Sequence, residues 1–202
     1  MKTKRAVLDV SDLPTVVYGP RDLMWWGTVG FMVIEGFSLA LCAFTYLYLR
    51  KNFIEWPPYR TPLPSLTIPT INLGVMLACV PLAWWTKRRA EHLDRRGVRI
   101  GLILGSITGL LILGLRFFEF AALNTQWNSN AYGSVIWFIL GFHTTLILTD
   151  TYDTIGLTYI MFHPNREAKH YSGASDNAEY FIFTVFLWIP LYVLVFLGPR
   201  FL

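Results

Sequence analysis

Glu35 is the one carboxylate in the stretch "FMVIEGFSLALCAF", residues 31 to 44, which is otherwise apolar or uncharged. An ionised group near the middle of a bilayer costs at least about 2.5–3.5 kcal/mol. Such a side chain therefore faces a bundle interior, a polar cavity or another subunit, or keeps its proton. Three uses stay open: a structural hydrogen bond to a neighbouring helix, proton handling, or contact with a polar lipid group. His143, in "WFILGFHTT", is the only histidine inside an apolar run, since His92, His163 and His170 lie in or beside polar connections. A lone buried histidine commonly packs and hydrogen-bonds. A haem held between membrane helices takes two axial ligands, and a copper centre takes several His or Cys ligands. Cys42 and Cys79 both fall inside apolar runs, so the runs supply neither set. The pattern predicts a chain with no haem, no metal and no active site of its own.

Other polar residues form pairs. Arg116 and Glu119 stand three apart and share one helix face, which predicts a structural ion pair. Asp150 follows His143 by seven residues and looks the same way along a helix. With Asp153 it reads as the polar inner mouth of that helix. "GLILGSITG" repeats Gly101, Gly105 and Gly109 every fourth residue, a spacing that lets membrane helices approach closely.

The elements that must position these groups are membrane helices. Of 202 residues, 54% are hydrophobic and 15% charged, and the mean hydropathy is +0.44. This excludes an ordinary soluble domain. The formal net charge of +4 resides in connections flanking apolar runs, so it reads as membrane topology rather than nucleic-acid binding. Five runs are long enough to span a bilayer, which takes about 20 residues. They cover about 24–49, 68–86, 100–123, 134–160 and 178–198. The predicted fold is an all-α, five-helix transmembrane bundle over 24–202, preceded by a polar segment over 1–23 in which no cleaved leader is evident.

With five spans, one side carries Lys2, Lys4, Arg5, Arg21, Lys87, Arg88, Arg89, Arg95, Arg96, Arg99, Arg166 and Lys169. The other carries Arg50, Lys51, Arg60 and Arg200. The positive-inside rule then predicts a cytoplasmic N-terminus and an outer C-terminus. At 1.5 Å per residue, Glu35 lies about 16 Å from the inner face and His143 about 13 Å from the outer, both near the midplane. "EWPPYRTPLP" (residues 55–64) reads as a stiff non-helical connection.

These stretches, taken in order, resemble subunit III of the haem–copper cytochrome c oxidases. "WWGTVGFMVIEGFSLALCAFTYLYLR" is similar to the family's glutamate-bearing helix, with Glu35 at the glutamate. "EWPPYRTPLPSLTIPTINLGVML" is similar to its Trp-Pro-Pro loop and following helix, with Trp56 and Asn72 at matching positions. "RFFEFAALNTQWNSNAYGSVIWFILGFHTTLI" places Glu119, Tyr132, Gly133, Ser134 and His143 on the family pattern. "FLWIPLY" does the same for Trp188, Leu191 and Tyr192. Some family features are absent. Leu146 stands where a second histidine is common, and Phe181 to Val185 replace a Trp-His-Phe-Val-Asp run. Pro190 should kink the last helix.

The resemblance implies a short form without the family's first two helices, and a neighbouring subunit covering the face they would occupy. It implies a non-catalytic subunit of a respiratory complex in a bacterial cytoplasmic membrane. Such a subunit packs on catalytic subunit I, with subunit II and further chains nearby. Haem and copper reside in those partners, and structural phospholipid fills a cleft that Glu35 lines near His143. Proton uptake and stability of the oxygen-reducing site would be supported. Two alternatives remain at this stage: a subunit-III-like partner of a nitric oxide reductase, and a small proton-coupled transporter using Glu35, His143, Asp150 and Arg116.

Overall fold

The computed structural model describes residues 16–163 and 167–201, so Lys2, Lys4, Arg5 and Arg166 of the charge argument lie outside the described residues. Among the described residues, five helices are long and apolar enough to cross a membrane, making this an all-helical integral membrane protein. They are α1 (Leu23–Lys51), α2 (Thr67–Glu91), α3 (Arg95–Ala122), α4 (Ala131–Phe162) and α5 (Lys169–Tyr192). After α5 the chain widens into a π turn over Val193–Leu197 and ends in a short helix, α6 (Gly198–Phe201).

Side chains at the ends explain where these helices begin. The Asp22 carboxylate accepts from the Met24 amide, and Asp94 accepts from the amides of Arg96 and Gly97. Asn130 accepts from Gly133 at 2.8 Å. Gly133 must be glycine, because a Cβ there would sit 2.4 Å from the Gln126 carbonyl oxygen. α2 ends on Arg88 and Arg89, whose guanidinium groups lie over the rings of Trp84 and Trp85 one turn earlier, an arrangement worth about 0.5–1 kcal/mol at exposed sites.

The cap of α3 makes a pH prediction. The Gly97 amide foremost, and then Arg89, hold the Asp94 carboxyl below its usual range. A depressed folded value means that the stabilisation is present above the unfolded pKa, 3.8, and is lost as pH falls through the folded value. Amide-exchange protection at Arg96 and Gly97 should therefore decline in acid. Asp94→Asn keeps a capping oxygen and should remove that pH dependence. Equal pH profiles for the two proteins would refute a charge-assisted cap.

α4 and α5 are the most buried helices, and α1 leans on them from outside. α2 packs on α3 and α5, and α3 on α4. The core gathers Tyr46, Met76, Ile112, Tyr132, Ile136, Ile139, Trp188 and Phe196. Outward faces carry Phe31, Phe37, Phe44, Phe117 and Tyr159, as a lipid-facing surface does.

α4 runs unbroken past Asp150 and Asp153 to Phe162, and α5 supplies those carboxylates with a partner (below). Two local expectations are corrected. α5 starts at Lys169 rather than near 178. Its first turns are polar, but Ser172, Ser175 and Asp176 are buried against the bundle, and a hydropathy window is blind to that. The Trp-Pro-Pro loop is not devoid of helix: Pro58–Arg60 forms one 3-10 turn, with Tyr59 and Arg60 at positive φ. Pro190 is accommodated within α5, two residues before the helix gives way to the π turn, a common site of altered helical pitch.

Candidate functional site: a polar cleft beside a buried arginine centre

α1, α4 and α5 enclose a cleft of about 830 Å³. It runs from Asp22 and Lys169 at one end to Glu35 and Tyr180 at the other, with Met24, Phe31 and Leu157 as apolar walls. Glu35 is half-buried, and the Tyr180 hydroxyl donates to its Oε2 at 2.7 Å. Further along, Asn177 Nδ2 donates to Asp150 Oδ1 at 3.1 Å and to Asp153 Oδ2 at 3.4 Å. Asn177 Oδ1 accepts from the Thr154 hydroxyl at 3.0 Å. One amide thus holds two carboxylates and is itself held. Near the opening, the Ser172 hydroxyl donates to the Asp22 carboxylate. Acidic groups outnumber basic ones on these walls, where Asp22, Glu35, Asp150, Asp153 and Asp176 face Lys169 and His170.

His143 is not on these walls. It is buried in a second polar cluster, around Arg116. Its Nδ1 lies 3.1 Å from Arg116 Nη2 and its Nε2 3.0 Å from the Thr184 carbonyl. A guanidinium only donates and a carbonyl only accepts, so Nδ1 accepts and Nε2 carries the hydrogen. The imidazole stacks on Trp188 at 4.5 Å between centroids, and Arg116 Cζ lies 4.2 Å from the same indole ring centre. Arg116 Nη1 donates to Glu119 Oε2 at 2.5 Å, and both side chains are buried. The expected pair therefore forms, but inside the protein and with His143 and Trp188 attached. Glu35 lines the cleft and His143 does not, although Tyr180, which holds Glu35, and Thr184, which holds His143, are one turn apart on α5. Asp150 belongs to the Glu35 cleft, not to the arginine centre.

The remaining singled-out residues tie helices together. Trp56 Nε1 donates to the Tyr46 hydroxyl at 2.9 Å, and the Tyr132 ring lies 5.2 Å from that of Trp56. The Trp-Pro-Pro loop and the Tyr-Gly-Ser turn meet there. Asn72 Nδ2 reaches the Ile112 carbonyl at 3.4 Å, and Tyr192 and Thr70 share a hydrogen bond of 2.6 Å. The glycines of α3 serve two neighbours: Gly101 faces Thr86 of α2, while Gly105 and Gly109 face Thr154 and Thr151 of α4. Sequence reasoning missed Asn177, Tyr180 and Thr184. The spacing of Asp176, Tyr180 and Thr184, four residues apart on one face, was the available signal. Among the described residues, no group of three or more His, Cys, Asp or Glu side chains could hold a metal ion.

A family model described as cytochrome c oxidase subunit III matches residues 21–198. The cytochrome c oxidase subunit 3 of Synechocystis sp. is 28% identical over 188 residues, covering 89% of this chain and 78% of that protein. Those of Neurospora crassa and Strongylocentrotus purpuratus are 24% and 26% identical over 147 and 150 residues. The chain spans about half of their length, 53% and 55%.

Proposed function

This chain belongs to the cytochrome c oxidase subunit III family, and from that premise we propose that it serves a haem–copper oxidase as a non-catalytic wall. It leans on the haem-bearing subunit I beside subunit II, in a bacterial cytoplasmic membrane with its N-terminus inside. The match over residues 21–198 carries this reading. Redox chemistry then belongs to the partners, and this chain contributes stability, lipid contacts and support for proton uptake. The α1–α4–α5 cleft suits a phospholipid: apolar walls for the start of an acyl chain, and polar groups at the end bearing Asp22 and Lys169 for a headgroup. Glu35 acts there as a neutral acid hydrogen-bonded to Tyr180, because an ionised carboxylate at that depth is costly.

The intact complex, purified from native membranes, should contain this chain together with a haem-bearing catalytic subunit when each co-purifying chain is identified by mass. The identity of that subunit distinguishes an oxygen-reducing complex from a nitric oxide reductase. Recovery of the chain alone as a functional species would overturn the proposal. A hydrophobic carbodiimide should label Glu35 in native membranes, and Glu35→Gln should abolish that label. Reaction at other membrane carboxyls with none at Glu35 would contradict a neutral, lipid-accessible acid.

A further inference from the structure

A second, smaller cavity of about 40 Å³ lies among α2, α3, α4 and α5. Its polar lining comes from Thr86, Thr108, Asp150, Thr151, Thr154 and Asn177. Thr151 distinguishes it. The threonines Thr144, Thr145, Thr149 and Thr158 of α4 each donate to the carbonyl four residues earlier, the usual resolution for a hydroxyl inside a helix, and Thr154 shares its hydrogen between the Asp150 carbonyl and Asn177 Oδ1. Thr151 does neither. Its side chain is 3% exposed, and among the described residues its Oγ1 has no hydrogen-bond partner. It is turned toward α3, where a Cβ on Gly109 would stand 2.7 Å from that oxygen. The missing methyl of Gly109 is therefore what leaves room for the hydroxyl.

A buried hydroxyl without a partner costs about 1–3 kcal/mol. The cavity offers a remedy. One water needs roughly 10–15 Å³ of such volume and two to four polar partners, so this space accommodates about two or three. Thr86 and Thr108 spend their hydroxyl hydrogens on the carbonyls of Leu82 and Gly105, which leaves their oxygens free to accept. Asp150, 5% exposed, lines both this cavity and the large cleft.

We propose that this cavity is a built water site: ordered water accepts from the Thr151 hydroxyl and donates to Asp150 and the neighbouring threonine oxygens. The site rests on the geometry of this chain and not on its assignment to an oxidase.

Two substitutions test it, made in the full chain in its native membrane. Thr151→Val keeps the shape and deletes the hydroxyl. Gly105→Ala projects a methyl into the cavity while meeting Thr154 Cγ2 at an ordinary 3.4 Å. Infrared difference spectra between H₂¹⁶O and H₂¹⁸O should show a bound-water O–H band in the parent that is lost in Thr151→Val and weakened in Gly105→Ala. Thr151→Val should also unfold at a lower temperature than the parent. In a dry cavity its sign is the opposite, since removing an orphan hydroxyl is neutral or stabilising. Gly105→Ala is read by its infrared band alone, because alanine gains helix propensity in a wet or a dry site. An unchanged infrared spectrum, or a gain in stability by Thr151→Val, would overturn the proposal.

Discussion

Glu119→Ala should lower the unfolding free energy by about 3–5 kcal/mol, the cost of leaving one partner of a buried ion pair uncompensated. Arg116→Ala should cost less. The reason is chemical asymmetry. A carboxylate stranded by loss of Arg116 takes up a proton and becomes a neutral donor, whereas a guanidinium stranded by loss of Glu119 has no such escape, since arginine is not deprotonated in proteins. Arg116 is enclosed by Met76, His143 and Trp188 as well as Glu119, so water does not readily reach the stranded charge. Replacing both, as Arg116→Met with Glu119→Leu, should recover part of the loss. It should not recover all of it, because His143 Nδ1 then loses the donor that Arg116 supplies, a deficit of about 1–3 kcal/mol. Denaturant titration of the four proteins in mixed micelles measures the cycle. Equal losses for the two single variants, or losses below about 1 kcal/mol, would show that the pair behaves as a solvated surface bridge.

Gly101→Ala should cost about 1–3 kcal/mol, the range for overpacking a well-filled site. A Cβ there would lie 2.2 Å from Thr86 Oγ1, 2.8 Å from its Cγ2 and 2.9 Å from its Cβ. Rotating the threonine does not clear the contact, because its Cβ is itself too close. α2 and α3 must separate instead. Thr86→Ala in the same chain should restore part of the stability, since alanine removes Oγ1 and Cγ2 but keeps the offending Cβ; Thr86→Gly removes all three contacts but loses about 1 kcal/mol of that gain through its helix propensity. Gly114 is the control on the same helix. No atom lies within 4 Å of a Cβ built there, so Gly114→Ala should be neutral or stabilising by up to about 1 kcal/mol through helix propensity. A loss at Gly114 equal to that at Gly101 would mean that the close approach of α2 is not what Gly101 provides.

The recurrence of polar side chains at helix interfaces, and of long apolar ones on both lipid and core faces, explains what could and could not be read in advance. Five apolar runs of sufficient length predicted five helices, because a backbone in hydrocarbon must satisfy its own hydrogen bonds. The Arg116–Glu119 pair was equally legible, since a spacing of three on one helix fixes proximity without reference to anything else. The glycine repeat announced close packing, and the ordered motifs from Glu35 to Tyr192 pointed to the family. All of these are local quantities or linear patterns.

What the amino-acid sequence left undecided was which faces meet. In a soluble bundle the apolar stripe marks the inside. In a membrane helix lipid and core are equally apolar, so the stripe is lost. Nothing local said that His143 turns to Arg116 while Asp150, two turns along the same helix, turns to Asn177. Nor did anything local divide Gly101 from Gly105 and Gly109 between two different neighbours, or begin α5 nine residues before its apolar run. Those choices rest on hydrogen bonds between helices far apart in the chain, Tyr180 with Glu35 and Arg116 with His143 among them. Such bonds exist only once the helices have packed, and so the tertiary structure alone decided them.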